Sequence, residues 1–387
     1  MANSNNIIYL DYAATTPTDP RVIQKMQNYL GIDGIFANPA SNTHLPGWQA
    51  AEAVDLAREQ VANLINAEAK EIVFTSGATE ANNLAIKGIA QFYQNKGKHI
   101  ITLMTEHKAI LDTCHALEKQ GFRITYLRPQ KNGLLNLQTL AAAICDDTIL
   151  ISIMQVNNET GVIQNIQKIA ELAKSKNIFF HTDAAQSIGK ITLDVKKTPV
   201  DLVSICGHKI YAPKGIGALY VRRKPRVRLI EQINGGQHES GMRSGTLATH
   251  QIVALGEALH IAKMELHDEY SRMQNLSKQF WQKLSVLSEI KRNGENCLPN
   301  ILSISFNGID NEALMASCPE LAFSAGSACT SATIEASHVL QAMGINNALA
   351  NNTIRISLGR FIDEQQIETA TNILVKQINR LRAISPL

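Results

Sequence analysis

Strand-length apolar runs alternate with segments of helical periodicity between residues 46 and 258 of this chain. In the segment Pro46–Ile65, apolar residues such as Val54, Ala57 and Val61 recur at helical spacing. Continuous apolar strands that alternate with helices are typical of a mostly parallel sheet covered on both faces. The pattern therefore predicts an α/β fold with strands at Glu71–Thr75, His99–Met104, Arg123–Leu127, Ile149–Val156, Ile178–Thr182, Leu202–Ile205 and Gly217–Val221.

The pattern changes beyond Gly245. Ile252 to about Leu287 reads as one long helix, and the segments after it are mixed. They comprise a strand at Ile301–Phe306, a helix, a loop rich in Ser, Ala and Gly, a strand at Thr353–Leu358 and a helix at Glu364–Leu381. We therefore expect a large domain over residues 16–258 and a smaller α+β domain formed by residues 1–15 and 259–387.

Composition narrows the class of protein. The 387 residues are 45% hydrophobic and 18% charged, which is ordinary for a globular protein with a large core. The first ten residues lack the pattern of a signal peptide, and no apolar stretch is long enough for a membrane helix. The six cysteines form no C-x-x-C pair, which argues against disulfides and a zinc site. We expect a cytoplasmic protein with reduced thiols, no membrane contact and no resident metal.

The net charge of +3 is too small to indicate a nucleic-acid partner. One local run, from Arg222 to Arg228, is basic, but no aromatic residues interleave with it to stack on bases. Its simplest interpretation is a solvated strand end. Docking of an acidic protein at Arg223, Arg226 and Arg228 stays open.

A lysine and an aspartate follow two neighbouring strands of the predicted sheet. Lys209 lies in Ser204-Ile205-Cys206-Gly207-His208-Lys209, and Asp183 lies in His181-Thr182-Asp183-Ala184-Ala185-Gln186. A pyridoxal phosphate enzyme needs one lysine to bind the cofactor aldehyde and one carboxylate to pair with the pyridine nitrogen. The alternative is a buried ion pair, which is costly without a function. Pyridoxal 5'-phosphate is therefore the first cofactor hypothesis.

Four further features are compatible with this hypothesis. The run Thr75–Glu80 opens a helix after a strand, where a phosphate can bind, although simple helix capping explains it equally well. His107 follows the next strand and could stack on a pyridine ring. Cys329 lies among small polar residues, which suggests an exposed nucleophile, and Arg355 lies in an apolar strand where it needs an anionic partner.

Ordered motifs along the chain resemble those of the cysteine desulfurases, in particular the housekeeping class of class-V aminotransferases that supplies sulfur for iron–sulfur clusters. The likeness runs from Tyr9 to Leu381. It includes the segments Tyr9–Pro17, Asn38–Ser41, Ile72–Glu80, Thr105–Ala109, Val156–Glu159, Gly207–Tyr211, Gly241–Thr246 and Gly326–Ser331. Each motif alone is weak, but together and in this order they are highly specific.

The resemblance implies a fold-type I transferase with a seven-stranded sheet, which forms a homodimer and converts L-cysteine to L-alanine. It implies that Lys209 binds the cofactor, that Cys329 accepts the sulfur as a persulfide and that His107 stacks on the ring and moves protons. The sulfur then passes to acceptor proteins. Cys329 could also ligate a cluster transiently. The other implied cofactor contacts are Ala78, Thr79, Asn158, Asp183, Gln186, Cys206, His208 and, from the other subunit, Thr246; the implied substrate contacts are Asn38, Asn158 and Arg355.

The sequence departs from the family at two places. Position 206 is Cys, where the family has a serine whose hydroxyl bonds the phosphate. The sequence ends at Leu387, where housekeeping members usually continue with a tail that helps to dock the scaffold protein, so delivery to a scaffold stays open. The alternative enzyme is a selenocysteine lyase or a related lyase of the same fold. An inert partner-binding protein is disfavoured because every catalytic position is filled.

Overall fold

A seven-stranded sheet forms the centre of the computed structural model, which describes residues 7–325 and 336–384. Its strands are β2 (Ile72–Thr75), β3 (His99–Leu103), β4 (Arg123–Leu127), β5 (Thr148–Ser152), β6 (Phe179–Asp183), β7 (Leu202–Cys206) and β8 (Gly217–Val221). Their order is β2-β8-β7-β6-β5-β3-β4. Strands β3 to β7 run parallel, and β8 is antiparallel to both of its neighbours. The predicted mostly parallel α/β sheet is confirmed.

Helices cover both faces of this large sheet. Successive strand residues point to opposite faces, so Ile100 and Ile101 belong to different apolar clusters. The Ile100 face is covered by α3 (Ala78–Tyr93) and α4 (Lys108–Glu118), and the Ile101 face by α2 (Leu45–Leu64) and α6 (Ile166–Ser175). The remaining helices of this region are α1 (Pro20–Gln27) and α5 (Leu137–Ala143). Burial on both faces explains why the strands read as continuous apolar runs.

A smaller antiparallel sheet lies in the C-terminal part of the chain. It contains β9 (Ile290–Arg292), β10 (Ile301–Phe306), β12 (Ser324–Ala325) and β13 (Thr353–Ser357), in the order β12-β13-β10-β9. Near the N-terminus, β1 (Ile8–Tyr9) pairs in parallel with β11 (Leu321–Ala322). The helices here are α8 (Asn311–Ala316), α9 (His338–Ala342), α10 (Asn347–Asn351) and α11 (Glu364–Ile384).

One helix, α7 (Thr249–Leu284), connects the two sheets and spans 36 residues. Leu255 and Leu259 join the apolar cluster of the large sheet, whereas Met273 and Phe280 join that of the small sheet. The predicted domain boundary between residues 258 and 259 falls inside this helix, and the division there stays a prediction. In the described part of the chain, no helix has the length and apolarity that a membrane span requires.

Candidate active site

A cavity of about 390 Å³ opens beyond the carboxyl ends of the central strands. This is where open α/β sheets bind their ligands. Many of the residues that the sequence predicted for the site line it together: Ala78, Thr79, His107, Asn158, Asp183, Gln186, Cys206, His208 and Lys209. Asn38, Thr246 and Arg355 do not line it, and Cys329 lies outside the described residues.

Asp183 is buried at the end of β6 and its carboxylate is held by two donors. Asn82 donates from Nδ2 to Oδ2 at 2.7 Å, and the backbone amide of Ala185 donates to Oδ1 at 2.8 Å. Asn82 lies on α3 four residues after Ala78, so both point to the same side of the helix. The sequence analysis missed Asn82; its signal was a polar residue on the apolar face of a helix.

The loop that carries Lys209 is fastened by the N-terminal segment. The carbonyl of His208 accepts from the backbone amide of Thr16 at 2.8 Å, and the amide of Tyr211 donates to the Thr16 hydroxyl at 2.8 Å. Tyr211 adopts φ 65°, a conformation that costs energy in a bulky residue and is common at functional sites. Lys209 lines the cavity, and none of the side-chain hydrogen bonds or ion pairs in the described part of the chain involves its amine. The amine can therefore react with a ligand without first breaking a contact of this kind.

The start of α3 forms an anion cup at one end of the cavity. The first backbone amides of a helix lack partners within the helix and carry partial positive charge. The preceding Gly77 has φ 152°, and Gly217 lies so close to it that a Cβ on Gly217 would sit 2.7 Å from the Gly77 Cα. The approach needs glycine at 217, and the positive φ favours glycine at 77. It brings Ala78 beside Cys206 at the end of β7.

Burial sets the charge of the groups around this cup. Desolvation and the neighbouring Lys209 lower the pKa of His208 to about 4, so its imidazole is neutral at pH 7. Burial also raises the pKa of the Cys206 thiol, although Lys209 and the Ala78 amide oppose the rise. The cup therefore offers an anion the backbone amides at the helix start and the neutral imidazole of His208.

His107 caps α4 with its imidazole ring. Its Nδ1 accepts from the backbone amide of Ala109 at 3.1 Å, so the proton of the neutral ring is on Nε2. Burial, and then Lys209, lower the pKa of His107. At neutral pH the ring is therefore uncharged, with Nε2 as its donor.

Arg355 in β13 is buried beside the cavity rather than in its wall. Its Nη2 pairs with Asp11 at 2.7 Å, and its Nη1 donates to the carbonyl of Asn158 at 3.0 Å. Its Nε has no partner among the described residues. Asp11 is a second residue that the sequence analysis missed, because no local pattern relates residues 11 and 355.

Two of the described residues that line the cavity have a buried side-chain oxygen without a partner. The two atoms are Asn82 Oδ1 and Gln186 Oε1. Gln186 donates from Nε2 to the carbonyl of Ala13 at 2.8 Å, which fixes the direction of its amide. A buried polar atom without a partner is costly, so these oxygens favour a ligand that carries hydrogen-bond donors.

Asn38 and Thr246, two further predicted site residues, are both exposed. Thr246 follows the loop of Arg243, whose Nε donates to Glu80 on α3 at 2.9 Å. That contact ties the Thr246 loop to the helix that forms the cup. The predicted contact of Thr246 with a cofactor in another subunit stays a prediction.

One group of metal-ligating side chains occurs elsewhere in the described residues. His99, Cys145 and Asp147 bring one donor atom each within 4.8 Å of one another. Both ring nitrogens of His99 are engaged by threonine hydroxyls, at 2.7 and 2.8 Å, and Asp147 pairs with Arg123 at 2.7 Å. Protein partners therefore occupy two of the three ligands.

Comparison with known proteins agrees with the geometry of the site. The family model for class-V aminotransferases matches residues 8–369. The cysteine desulfurase IscS of Photorhabdus laumondii is 59% identical over 382 residues, which cover 98% of this chain and 95% of the relative. The cysteine desulfurase IscS of Shewanella sp. strain ANA-3 is 58% identical with the same coverage.

Solved structures of similar fold agree. A NifS-like protein superposes with a TM-score of 0.89 at 33% identity and covers 98% of this chain and 100% of its own. The structure described as SspA in complex with cysteine has a TM-score of 0.81 at 40% identity, covering 90% and 98%. The family model, the full-length relatives and the shared fold together establish that this chain belongs to the class-V aminotransferases, as one of the IscS-type cysteine desulfurases.

Proposed function

We propose that this protein binds pyridoxal 5'-phosphate in the cavity beyond the large sheet and uses it to take sulfur from L-cysteine. The observation that carries the proposal is the shared cavity of Lys209, Asp183 and the start of α3. A covalent anchor, a carboxylate and an anion cup are the three features by which a protein holds this cofactor.

The residues present fit the cofactor. Lys209 would hold its aldehyde carbon, and the Asp183 carboxylate, fixed by Asn82, would face the pyridine nitrogen. The unpartnered Oε1 of Gln186 would accept from the ring hydroxyl. Ala78, Thr79, Cys206 and His208 would surround the phosphate, with Thr246 of a second subunit. When bound, the cofactor supplies a ring that withdraws electrons from the Cα of the substrate.

The protein's own groups then act on L-cysteine. The Lys209 amine would take a proton from the substrate Cα, and the neutral His107 ring would move protons through Nε2. Asn158, Asn38 and Arg355 would orient the substrate. To orient the substrate, Arg355 must bind the substrate carboxylate at Nε or share its guanidinium between that carboxylate and Asp11. The reason is that Asp11 already pairs with Nη2.

Sulfur transfer requires a second thiol. We propose that Cys329, as a thiolate, attacks the substrate sulfur: an S–S bond forms, the Cβ–S bond breaks, and its electron pair stays with Cβ, which takes up a proton. The products are L-alanine and a persulfide on Cys329. The SspA structure, which is described with cysteine bound, supports cysteine as the substrate class.

Delivery of the sulfur involves partners. Arg223, Arg226 and Arg228 line a groove of about 260 Å³, and none of the ion pairs of the described residues involves them. We propose that acidic acceptor proteins for iron–sulfur cluster assembly dock at this basic groove. The proposal also includes a homodimer, which the proposed contact of Thr246 with the cofactor of a second subunit requires, and a cytoplasmic location.

Two variants test the proposed function. Lys209→Ala should lose the visible absorbance band of lysine-bound cofactor and all turnover. Cys329→Ser should keep that band and still change its spectrum on addition of cysteine, yet release no sulfide, because a serine hydroxyl cannot accept sulfur. The proposal is wrong if Lys209→Ala keeps the band, or if Cys329→Ser makes alanine at the normal rate.

A further inference from the structure

A rigid turn at residues 157–160 lies between the cavity and the small sheet. The Oδ1 atom of Asn157 accepts from the backbone amides of Glu159 at 3.0 Å and Thr160 at 2.9 Å, and from the Thr160 hydroxyl at 3.0 Å. Its Nδ2 donates to the carbonyl of Thr105 at 2.9 Å, two residues before His107. One side chain therefore fixes the turn and ties it to the segment that carries His107.

The same turn contacts the substrate region through its next residue. Asn158 lines the cavity, and its carbonyl accepts from Arg355 at 3.0 Å. The position of Asn158 therefore depends on both the turn and β13.

The third residue of the turn, Glu159, contacts a different part of the chain. Glu159 is only 4% exposed, and its Oε2 accepts a hydrogen bond from the hydroxyl of Ser337. The same hydroxyl oxygen accepts from the backbone amide of Leu340 at 3.2 Å and so caps α9. The Glu159 carboxylate thus joins the turn to the first turn of α9.

Ser337 and Ser324 flank the stretch of sequence that contains Cys329. On the N-terminal side, Ser324 is paired with Arg355 in the sheet and donates to Asp11 at 3.0 Å. On the C-terminal side, Ser337 reaches Arg355 through Glu159 and the carbonyl of Asn158. Both flanks therefore converge on the same arginine.

Burial of Glu159 has a visible electrostatic cost. Desolvation raises its pKa to about 7, although the Ser337 hydroxyl and the charge of Arg355 oppose the rise. A carboxyl in such a place needs a partner, because an unpaired buried charge is strongly destabilising. Ser337 is the hydrogen-bond partner that the described residues provide for Oε2.

We propose that Glu159 is a positioning residue for the sulfur-transfer step: through Ser337 it fixes the start of α9 relative to the turn of Asn158, and so sets where the chain returns from Cys329. This inference rests on the proposed function, since it assigns Cys329 the role of sulfur acceptor. It predicts that loss of the contact slows transfer and leaves binding of cysteine intact.

The test compares Ser337→Ala with two controls in the holoenzyme. Ser337→Ala should lower kcat for alanine formation by roughly tenfold or more, since a small misplacement of reacting groups is costly. The cysteine affinity, measured from the spectral change in a Cys329→Ser background, should stay the same. Ser337→Thr keeps a hydroxyl and should keep kcat. Asn346→Ala removes the exposed cap of α10, which has no contact with the turn, and should leave kcat unchanged.

A double-mutant cycle tests the pairing itself. Glu159→Ala, Ser337→Ala and the double variant should share nearly the same kcat, because the second change removes an interaction that is already lost. The inference is overturned if Ser337→Ala has normal kcat, if cysteine affinity falls in parallel with kcat, or if the two losses multiply. Failure of the proposed function would appear differently, as alanine formation by Cys329→Ser alone.

Discussion

At the residue scale, Cys206 is the departure from the family that bears most directly on the site. The thiol is only 2% exposed and lies beside the first amides of α3. A thiol is a weaker donor than a hydroxyl, and its sulfur is larger. A phosphate in the cup would therefore gain less from this position than it would from serine.

Cys206→Ser should consequently slow the release of pyridoxal phosphate. A hydrogen bond to a charged group contributes roughly 1.5–3 kcal/mol, and recovery of about 1.4 kcal/mol corresponds to a tenfold slower release. The rate can be followed by absorbance after dilution into an aldehyde trap. Cys145→Ser, an exposed cysteine far along the chain, serves as the control and should release cofactor like the parent protein. Equal rates for the parent and Cys206→Ser would mean that position 206 does not contact the phosphate.

At the scale of elements, the crossing of α2 and α7 fixes the helix that connects the two sheets. A Cβ on Gly256 of α7 would lie 2.7 Å from the Cα of Ala57 and 2.5 Å from Oε1 of Gln60. The absence of a side chain is thus what allows the two backbones to approach. The second half of α7 joins the apolar cluster of the small sheet, so this crossing lies on the helix that both sheets share.

Gly256→Ala should therefore destabilise the fold, even though alanine is a better helix former than glycine. Overpacking of a tight contact costs about 1–3 kcal/mol. We expect this loss in the free energy of unfolding from urea titration. Gly31→Ala is the control, because a Cβ there meets no atom within 4 Å and φ is not positive. An unchanged or higher stability of Gly256→Ala would show that α2 can move aside without cost.

At the scale of the whole molecule, Arg360 joins parts of the chain that are far apart in sequence. Its side chain is 9% exposed and pairs with Asp19 at 2.7 Å and with Glu269 of α7 at 2.9 Å. Its guanidinium lies over the Tyr211 ring, 4.2 Å from the centroid, next to the Lys209 loop. Arg360 thus connects the region of the small sheet with α7 and with the loop that carries Lys209.

Arg360→Met should lower the free energy of unfolding at pH 7 by about 3 kcal/mol, because it leaves the buried Asp19 and the partly buried Glu269 with fewer partners. Hydrogen bonds from Arg21 and then Arg360 hold the pKa of Asp19 well below its usual range, against the effect of burial. A lowered native pKa stabilises the protein above the unfolded pKa of about 3.9, and this stability is lost as the pH falls. The difference in the free energy of unfolding between the parent protein and Arg360→Met should therefore become smaller below about pH 4.

Lys283→Met provides the comparison for Arg360→Met. Lys283 pairs with Glu368 at 3.1 Å on the surface, where an ion pair contributes only about 0–1 kcal/mol. Urea titrations of the three proteins at pH 7 and in acid would measure both effects. The role assigned to Arg360 would be contradicted if Arg360→Met lost as little free energy of unfolding as Lys283→Met. It would also be contradicted if the difference between Arg360→Met and the parent protein did not depend on pH.

The amino-acid sequence by itself determined the large sheet and the residues at its strand ends. Buried parallel strands must be apolar on both faces, so their runs are visible without any tertiary information. The topology of such a sheet brings the residues at the carboxyl ends of β6 and β7 to one edge, and the predicted Asp183 and Lys209 do line one cavity. Motif order was specific enough to identify the family, which the comparisons confirmed.

Only the tertiary structure decided which distant groups hold these residues in place. Thr16 fastens the Lys209 loop, Asn82 fixes Asp183, and Asp11 occupies Arg355. Such contacts join residues up to 344 positions apart. Which residues meet in such contacts depends on how the layers of the fold stack, and not on any local periodicity of the sequence. For the same reason, burial sets the pKa values of His107, His208 and Glu159, since desolvation depends on the atoms that surround a group in space.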